Sequence, residues 1–201
     1  MLGALVAFAP VAALLTVTPG AATALVVRSA ATGGRRRALA TTVGNSLGVL
    51  AWGCFAAMGI AAVVATSAAA FTTVKLAGAV VLILLGLQSL RGHREAPERP
   101  TAARGAPLRD GLVTSLANPK LAVFFVALFP QFVPAGAPVL PSALLMAAMI
   151  VGFDLVWYSA LAYAVARARR AFVEGPWLAR AQRLTGAVLV GLGVRLAFER
   201  R

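Results

Sequence analysis

The chain has 201 residues, of which 60% are apolar and 12% charged, and its mean hydropathy is +0.86. Soluble domains carry about 25% charged and 45–50% apolar residues. This chain therefore has too little polar surface to clothe a water-soluble globule, and a soluble enzyme, a soluble DNA-binding domain and a disordered tail are poor readings of it. The formal net charge of +13 does not argue for a nucleic-acid partner, because the arginines are confined to a few segments between long uncharged runs.

A helix crosses about 30 Å of hydrocarbon with roughly 20 apolar residues. Met1–Val27 is uncharged and long enough. It lacks the basic start of a signal peptide and exceeds the usual apolar core of one, so it reads as a retained span. Arg28, Arg35, Arg36 and Arg37 follow it. Ala38–Leu90, uncharged except for Lys75, suits two spans with a turn near Thr66–Ala70. The lone Cys54 lies in this run and excludes an intrachain disulfide. Gly44 and Gly48, with Asn45 and Ser46, form a small-residue face that reads as helix packing, as do Gly78 and Gly86 further on.

Arg91–Arg109 is the longest polar segment and contains Pro97, Pro100, Pro107 and the single His93. It reads as a linker. Gly111–Ala166 carries only Lys120 and Asp154 and divides at Pro134–Pro141, where Pro, Gly and Ala mark a connection. A third basic segment holds Arg167, Arg169, Arg170, Arg180 and Arg183, and Trp177–Phe198 supplies a last span, its flanking arginines snorkelling to the headgroups.

The fold class is thus an all-α polytopic membrane protein with six transmembrane helices. Arginines fill the first, third and fifth connections and are absent from the second and fourth. Lys and Arg mark the cytoplasmic side of short loops, so both termini are expected outside.

Three spans precede the linker and three follow it, so the chain divides into repeats 1–90 and 111–201 about a cytoplasmic linker 91–110. An odd number of spans per half inverts the second copy. Thr16-Val17-Thr18-Pro19-Gly20 in one half corresponds to Leu116-Ala117-Asn118-Pro119-Lys120 in the other. Proline lacks an N–H and clashes with the preceding turn, so each motif predicts a broken helix. In lipid such breaks survive only against protein or a wet cavity, and inverted-repeat carriers build their site from them. The half-helix beginning after each proline favours a carboxylate at its N-terminus, with Thr16, Thr18, Asn118 and Gln131 as hydrogen-bonding side chains.

Lys75, Lys120 and Asp154 are the ionisable residues at membrane depth, where each costs about 2.5–3.5 kcal/mol at a helix centre. Asp154 is the candidate proton carrier; its alternative is a permanent ion pair with Lys75 or Lys120. Trp52, Trp157, Tyr158 and Tyr163 read first as packing or interface residues. The sequence has no H-E-x-x-H, C-x-x-C, Walker or G-x-G-x-x-G motif, so no enzyme activity, cofactor or metal site is expected. A transporter driven by a gradient is the leading reading, with an ion or metal permease of the same architecture as the alternative.

Several of these residues carry a resemblance to a known family. Thr18-Pro19-Gly20, the basic turn Gly33–Ala38, Lys75-Leu76-Ala77-Gly78, Leu85-Gly86-Leu87-Gln88, the block from Asn118-Pro119-Lys120 to Phe129-Pro130-Gln131-Phe132, and Asp154 with Tyr158 resemble the LysE/RhtB amino-acid exporters, especially their homoserine/threonine branch. The resemblance implies export of small amino acids across the bacterial cytoplasmic (inner) membrane in exchange for protons. It implies Thr18, Pro19, Gly20, Asn118, Pro119 and Lys120 as substrate-binding residues, and Asp154 with Lys75 as proton-coupling residues. Val49 stands where some members carry an acid, which argues against a cationic substrate. The partners implied are the amino acid, protons and the lipid bilayer, with no nucleic acid, and the small-residue faces leave room for a homodimer.

Overall fold

The computed structural model describes residues 1–66, 106–134 and 136–167, together with single positions within 73–90 and 183–198. Every element among them is helical: α1 (Leu2–Val17), α2 (Ala21–Thr66), α3 (Pro107–Leu116), α4 (Pro119–Val123) and α5 (Val139–Arg167), with a π-helical turn Phe124–Leu128 and a 3₁₀ turn Phe129–Phe132 after α4. Ala21–Gly59 and Val139–Arg167 are long and apolar enough to cross a membrane, and α3 with Pro119–Phe132, bent by 47° at their junction, makes a third such segment. Lys75, Gly78, Gly86, the turn at 67–70 and residues 91–105 lie outside the described residues, as does most of the last predicted span.

α2 is not one straight rod. The Thr41 hydroxyl donates to the Ser29 hydroxyl at 3.0 Å, yet twelve residues of straight helix span about 18 Å. The chain therefore folds back between them, and it does so at Gly34, whose φ of +70° and ψ of −171° are non-helical. A positive φ suits glycine, which has no Cβ to clash. The predicted basic turn thus forms, with Arg35, Arg36 and Arg37 just past it, and α2 becomes a hairpin with arms 21–33 and 35–66. The expected span Met1–Val27 is made of α1 and the first arm, with the expected break at Thr18–Gly20.

Contacts give the directions of the elements. Met1 Sδ meets the Ser142 hydroxyl at 3.7 Å, and Phe8 packs on Phe132 with ring centroids 5.2 Å apart. The chain start, the 3₁₀ turn and the start of α5 therefore share one end of the molecule. At the other end the Arg37 guanidinium lies 4.0 Å from the Asp110 carboxylate, and Ala30 and Ala38 cluster with Val165 near the end of α5. Residues of the first and third connections meet at this basic end, beside the end of α5. Lys120 touches Leu15 and Thr18 while Phe132 touches Phe8, so the two broken helices run in opposite directions.

On α5 the buried residues Ser142, Met146, Ile150, Asp154, Tyr158 and Ala162 recur every fourth position, whereas Leu145, Val156 and Tyr163 on its other faces are exposed. A helix that is apolar all round, with one face packed and the rest bare, suits lipid. Two apolar clusters follow from this stripe. One gathers Phe8, Phe124, Phe125, Phe129 and Met146 towards the chain start; the other gathers Ala22, Val26, Ala30, Leu161 and Val165 towards the basic end. Asp154 sits between them.

Glycines let α3 lie against the second arm of α2. A Cβ on Gly44 would fall 1.9 Å from the Leu108 carbonyl oxygen, one on Gly48 2.4 Å from Ser115 Cβ, and one on Gly111 2.0 Å from the Thr41 carbonyl oxygen. The packing reading of Gly44 and Gly48 agrees with this geometry. Gly193 likewise approaches Ala79 and Ile83, with a Cβ there 2.8 Å from the Ala79 carbonyl oxygen, so the helical positions within 73–90 and 183–198 pack together. Because backbone cannot retreat as a side chain can, Gly111→Ala is expected to cost at least the roughly 1–3 kcal/mol typical of overpacking. A lowered melting temperature of the purified protein and loss of its single size-exclusion peak are the readouts; an unchanged profile would contradict this close approach.

Candidate functional site

The first break begins with α1 ending at Val17. In an unbroken helix the Leu15 carbonyl would accept from the residue four further on, which is Pro19 and has no N–H to give. The Lys120 ammonium instead donates to the Leu15 carbonyl at 3.1 Å and to the Thr18 carbonyl at 3.2 Å. Helix resumes at Ala21, and Gly20 lies beside the lysine, where an added Cβ would sit 3.5 Å from Nζ.

The second break repeats the problem with a different answer. Pro119 deprives the Ser115 carbonyl of its partner. That carbonyl accepts from the Trp52 indole N–H at 3.1 Å and from the Asn118 backbone N–H at 3.2 Å. Asn118 caps the next helix, its side-chain oxygen accepting from the Lys120 backbone N–H at 3.0 Å, as residues of its type do at helix starts. The base of the Lys120 side chain is thereby held in place.

Asp154, 3% exposed, faces both breaks from the middle of α5. The Thr16 hydroxyl donates to one carboxylate oxygen at 2.7 Å, and the Asn45 side-chain amide donates to the other at 3.0 Å. That bond orients the amide, and it leaves the buried Asn45 carbonyl oxygen without a hydrogen-bond partner among the described residues. Leu15, Thr16, Gly20, Ala22, Thr23, Asn45, Asn118, Lys120, Leu121, Ile150, Asp154 and Tyr158 enclose one polar cavity. As it stands, the free space is about that of one water molecule.

The structure therefore brings together Gly20, Asn118, Lys120 and Asp154, with Thr18 contributing its carbonyl and Pro19 and Pro119 creating the breaks. Lys75 lies outside the described residues. Gln131 is in the 3₁₀ turn and does not line the cavity. Asn45 corrects the sequence reading: grouped with the packing glycines, it is in fact a ligand of the Asp154 carboxylate. The missed signal was an amide within an otherwise uncharged span, where a polar group needs a partner. Thr23 and Tyr158 are further cavity residues, Tyr158 having been read first as packing. Among the described residues no group of three or more His, Cys, Asp or Glu is placed to hold a metal ion.

Comparison with known proteins adds an independent line. The family model described as LysE type translocator matches residues 13–200. The chain is 28% identical to the threonine efflux protein of Escherichia coli, over 100% of this chain and 99% of that one. It is 30% identical to the homoserine/homoserine lactone efflux protein of Salmonella typhimurium, over 93% of this chain and 92% of that one. A membrane protein of Vibrio cholerae is 32% identical over 92% of each chain. No solved structure matches.

Removing a donor from the buried carboxylate has a defined consequence. Asn45→Ala leaves one Asp154 oxygen without its amide, which for a buried polar group costs about 1–3 kcal/mol. The melting temperature should fall in Asn45→Ala and recover in Asn45→Ala/Asp154→Ala, which removes the stranded acceptor. Equal melting of Asn45→Ala and wild type would show that this bond contributes nothing.

Proposed function

The chain belongs to the LysE type translocator family, and from that premise we propose that it is a secondary transporter exporting small neutral amino acids of the threonine or homoserine kind from the bacterial cytoplasm. The observation that carries this reading is the polar cavity at which two oppositely directed broken helices meet Lys120 and Asp154. A zwitterionic amino acid offers one carboxylate and one ammonium, and the cavity offers one cation and one carboxylate. The names of the efflux relatives point to the same substrate class. An ion or metal permease is the less favoured reading, because one carboxylate among neutral oxygens is a poor ligand set for a divalent ion.

In this mechanism the substrate carboxylate approaches the helix starts after Gly20 and Asn118, whose positive dipole ends favour an anion, and Lys120 assists. Its ammonium turns to Asp154 and the Asn45 carbonyl oxygen. The Leu15 and Thr18 carbonyls at the first break are already taken by Lys120. The cavity must widen to admit a substrate, which fits an occluded member of an alternating-access cycle. Asp154 takes a proton from outside as the emptied carrier returns, and Lys75 assists that step. The transporter reading makes the protein a carrier and not an enzyme.

The architecture that goes with this reading is six spans in two inverted halves, 1–90 and 111–201, about the linker 91–110. The opposed broken helices and the meeting of the first and third connections at one end support it. The positive-inside rule turns the basic end to the cytoplasm and both termini outward, in the cytoplasmic membrane.

Three measurements test the proposal. A panel of labelled amino acids in proteoliposome counterflow should single out small neutral ones, with uniform silence but metal flux favouring the permease. Asp154→Asn should reduce transport driven by a proton gradient to the empty-liposome background while exchange of substrate for substrate continues; undiminished gradient-driven transport would remove Asp154 from coupling. Orientation is tested with Arg36→Cys in a Cys54→Ser background, which should react with an impermeant maleimide only from the cytoplasmic face.

A further inference from the structure

The two breaks pose the same problem and solve it unequally. At Pro119 the orphaned carbonyl of Ser115 is satisfied by neutral donors, the Trp52 indole and a backbone N–H. At Pro19 the orphaned carbonyl of Leu15 is satisfied by a charged ammonium that also holds the Thr18 carbonyl. A neutral donor suffices for repair, as the second break demonstrates, and stripping water from an ammonium is costly. The charge at the first break therefore calls for a role beyond repair.

The surroundings suit a cation. Two carbonyl oxygens point at one spot, the negative end of the α1 dipole lies there, and the Asp154 carboxylate faces the same cavity. In broken-helix carriers, unwound carbonyls and half-helix C-terminal ends are where a mobile coupling ion is coordinated. Here the group in that seat is covalently attached to the opposite half, and its base is held by the Asn118 cap. It crosses from one break to the other.

We propose that Lys120 is a tethered cation: its ammonium occupies the seat that a mobile sodium ion would take at the first helix break and holds the backbone between Leu15 and Gly20 in its broken form, so that the carrier works without sodium. Lys120 is in this respect a positioning residue acting through the break. The inference rests on the transporter reading only for its last clause, because the occupied seat exists whatever is carried.

The test therefore has one arm that needs no transport. Melting of purified protein, followed by exposure of the Cys54 thiol, should be the same for wild type in sodium and in N-methylglucamine chloride. Lys120→Ala should melt several degrees lower and be restored saturably by methylammonium chloride, but not by tetramethylammonium chloride at equal ionic strength. Lys120→Met, which fills the seat without a charge, should not be restored. A merely structural lysine would give no such selective rescue. Saturable stabilisation of wild type by sodium overturns the proposal, as does an identical response of folded Lys120→Ala to both ammonium salts. The wild-type comparison requires no variant to fold. In the second arm, wild-type counterflow should be unchanged when N-methylglucamine replaces sodium, and a sodium requirement overturns the tethered cation. Counterflow silent for every amino acid in both media counts against the transport reading and leaves the melting arm to judge Lys120.

Discussion

A backbone carbonyl without a donor, in surroundings that offer no water, costs several kcal/mol. Pro19 and Pro119 each create one, and much of the interior is organised by how they are satisfied. Neither is satisfied locally alone. The Leu15 carbonyl takes Lys120 from the second broken helix, and the Ser115 carbonyl takes Trp52 from the hairpin. Local defects in two helices thus become ties between distant parts of the chain. They also place the polar atoms in one layer, at the centre of α5, with apolar clusters above and below.

The tight packing belongs to the same arrangement. Gly44, Gly48 and Gly111 let the second arm of α2 and α3 approach until backbone meets backbone. That approach carries Asn45, one residue from Gly44, to the Asp154 carboxylate and Trp52 to the Ser115 carbonyl. A glycine outside the cavity lining thereby governs whether two polar contacts form.

Much of this was legible in the sequence because the physics is local. A proline four residues after a carbonyl names the orphan at once, and the absence of charge over long runs names the apolar helices. The grouping of arginines matched the end at which Arg37 meets Asp110. What the sequence could not reveal was partnership across space. Lys120 could be placed near a break but not on the carbonyls of the other one. Asn45 carried a polar amide, yet its neighbours Gly44 and Gly48 suggested packing, and both readings apply to the same turn of helix. Gln131 sat in a recognisable motif but lies in the 3₁₀ turn after the π turn at Phe124–Leu128, outside the cavity lining.

The two apolar clusters differ in kind. Towards the chain start, Phe8, Phe124, Phe125, Phe129 and Phe132 interlock with ring centroids 5.2–6.4 Å apart; towards the basic end, the wall contains Ala22, Ala30, Ala38 and Ala162. Interlocked rings exclude water, and a dry constriction blocks ions without a charged plug. These alanines share their cluster with Val26, Tyr158, Leu161 and Val165. The polar layer thus has interlocked rings on one side and a mainly aliphatic cluster on the other. Parting α1 from the π and 3₁₀ turns on the chain-start side would break the three ring contacts of Phe8, whereas no ring contact is found in the cluster towards the basic end among the described residues.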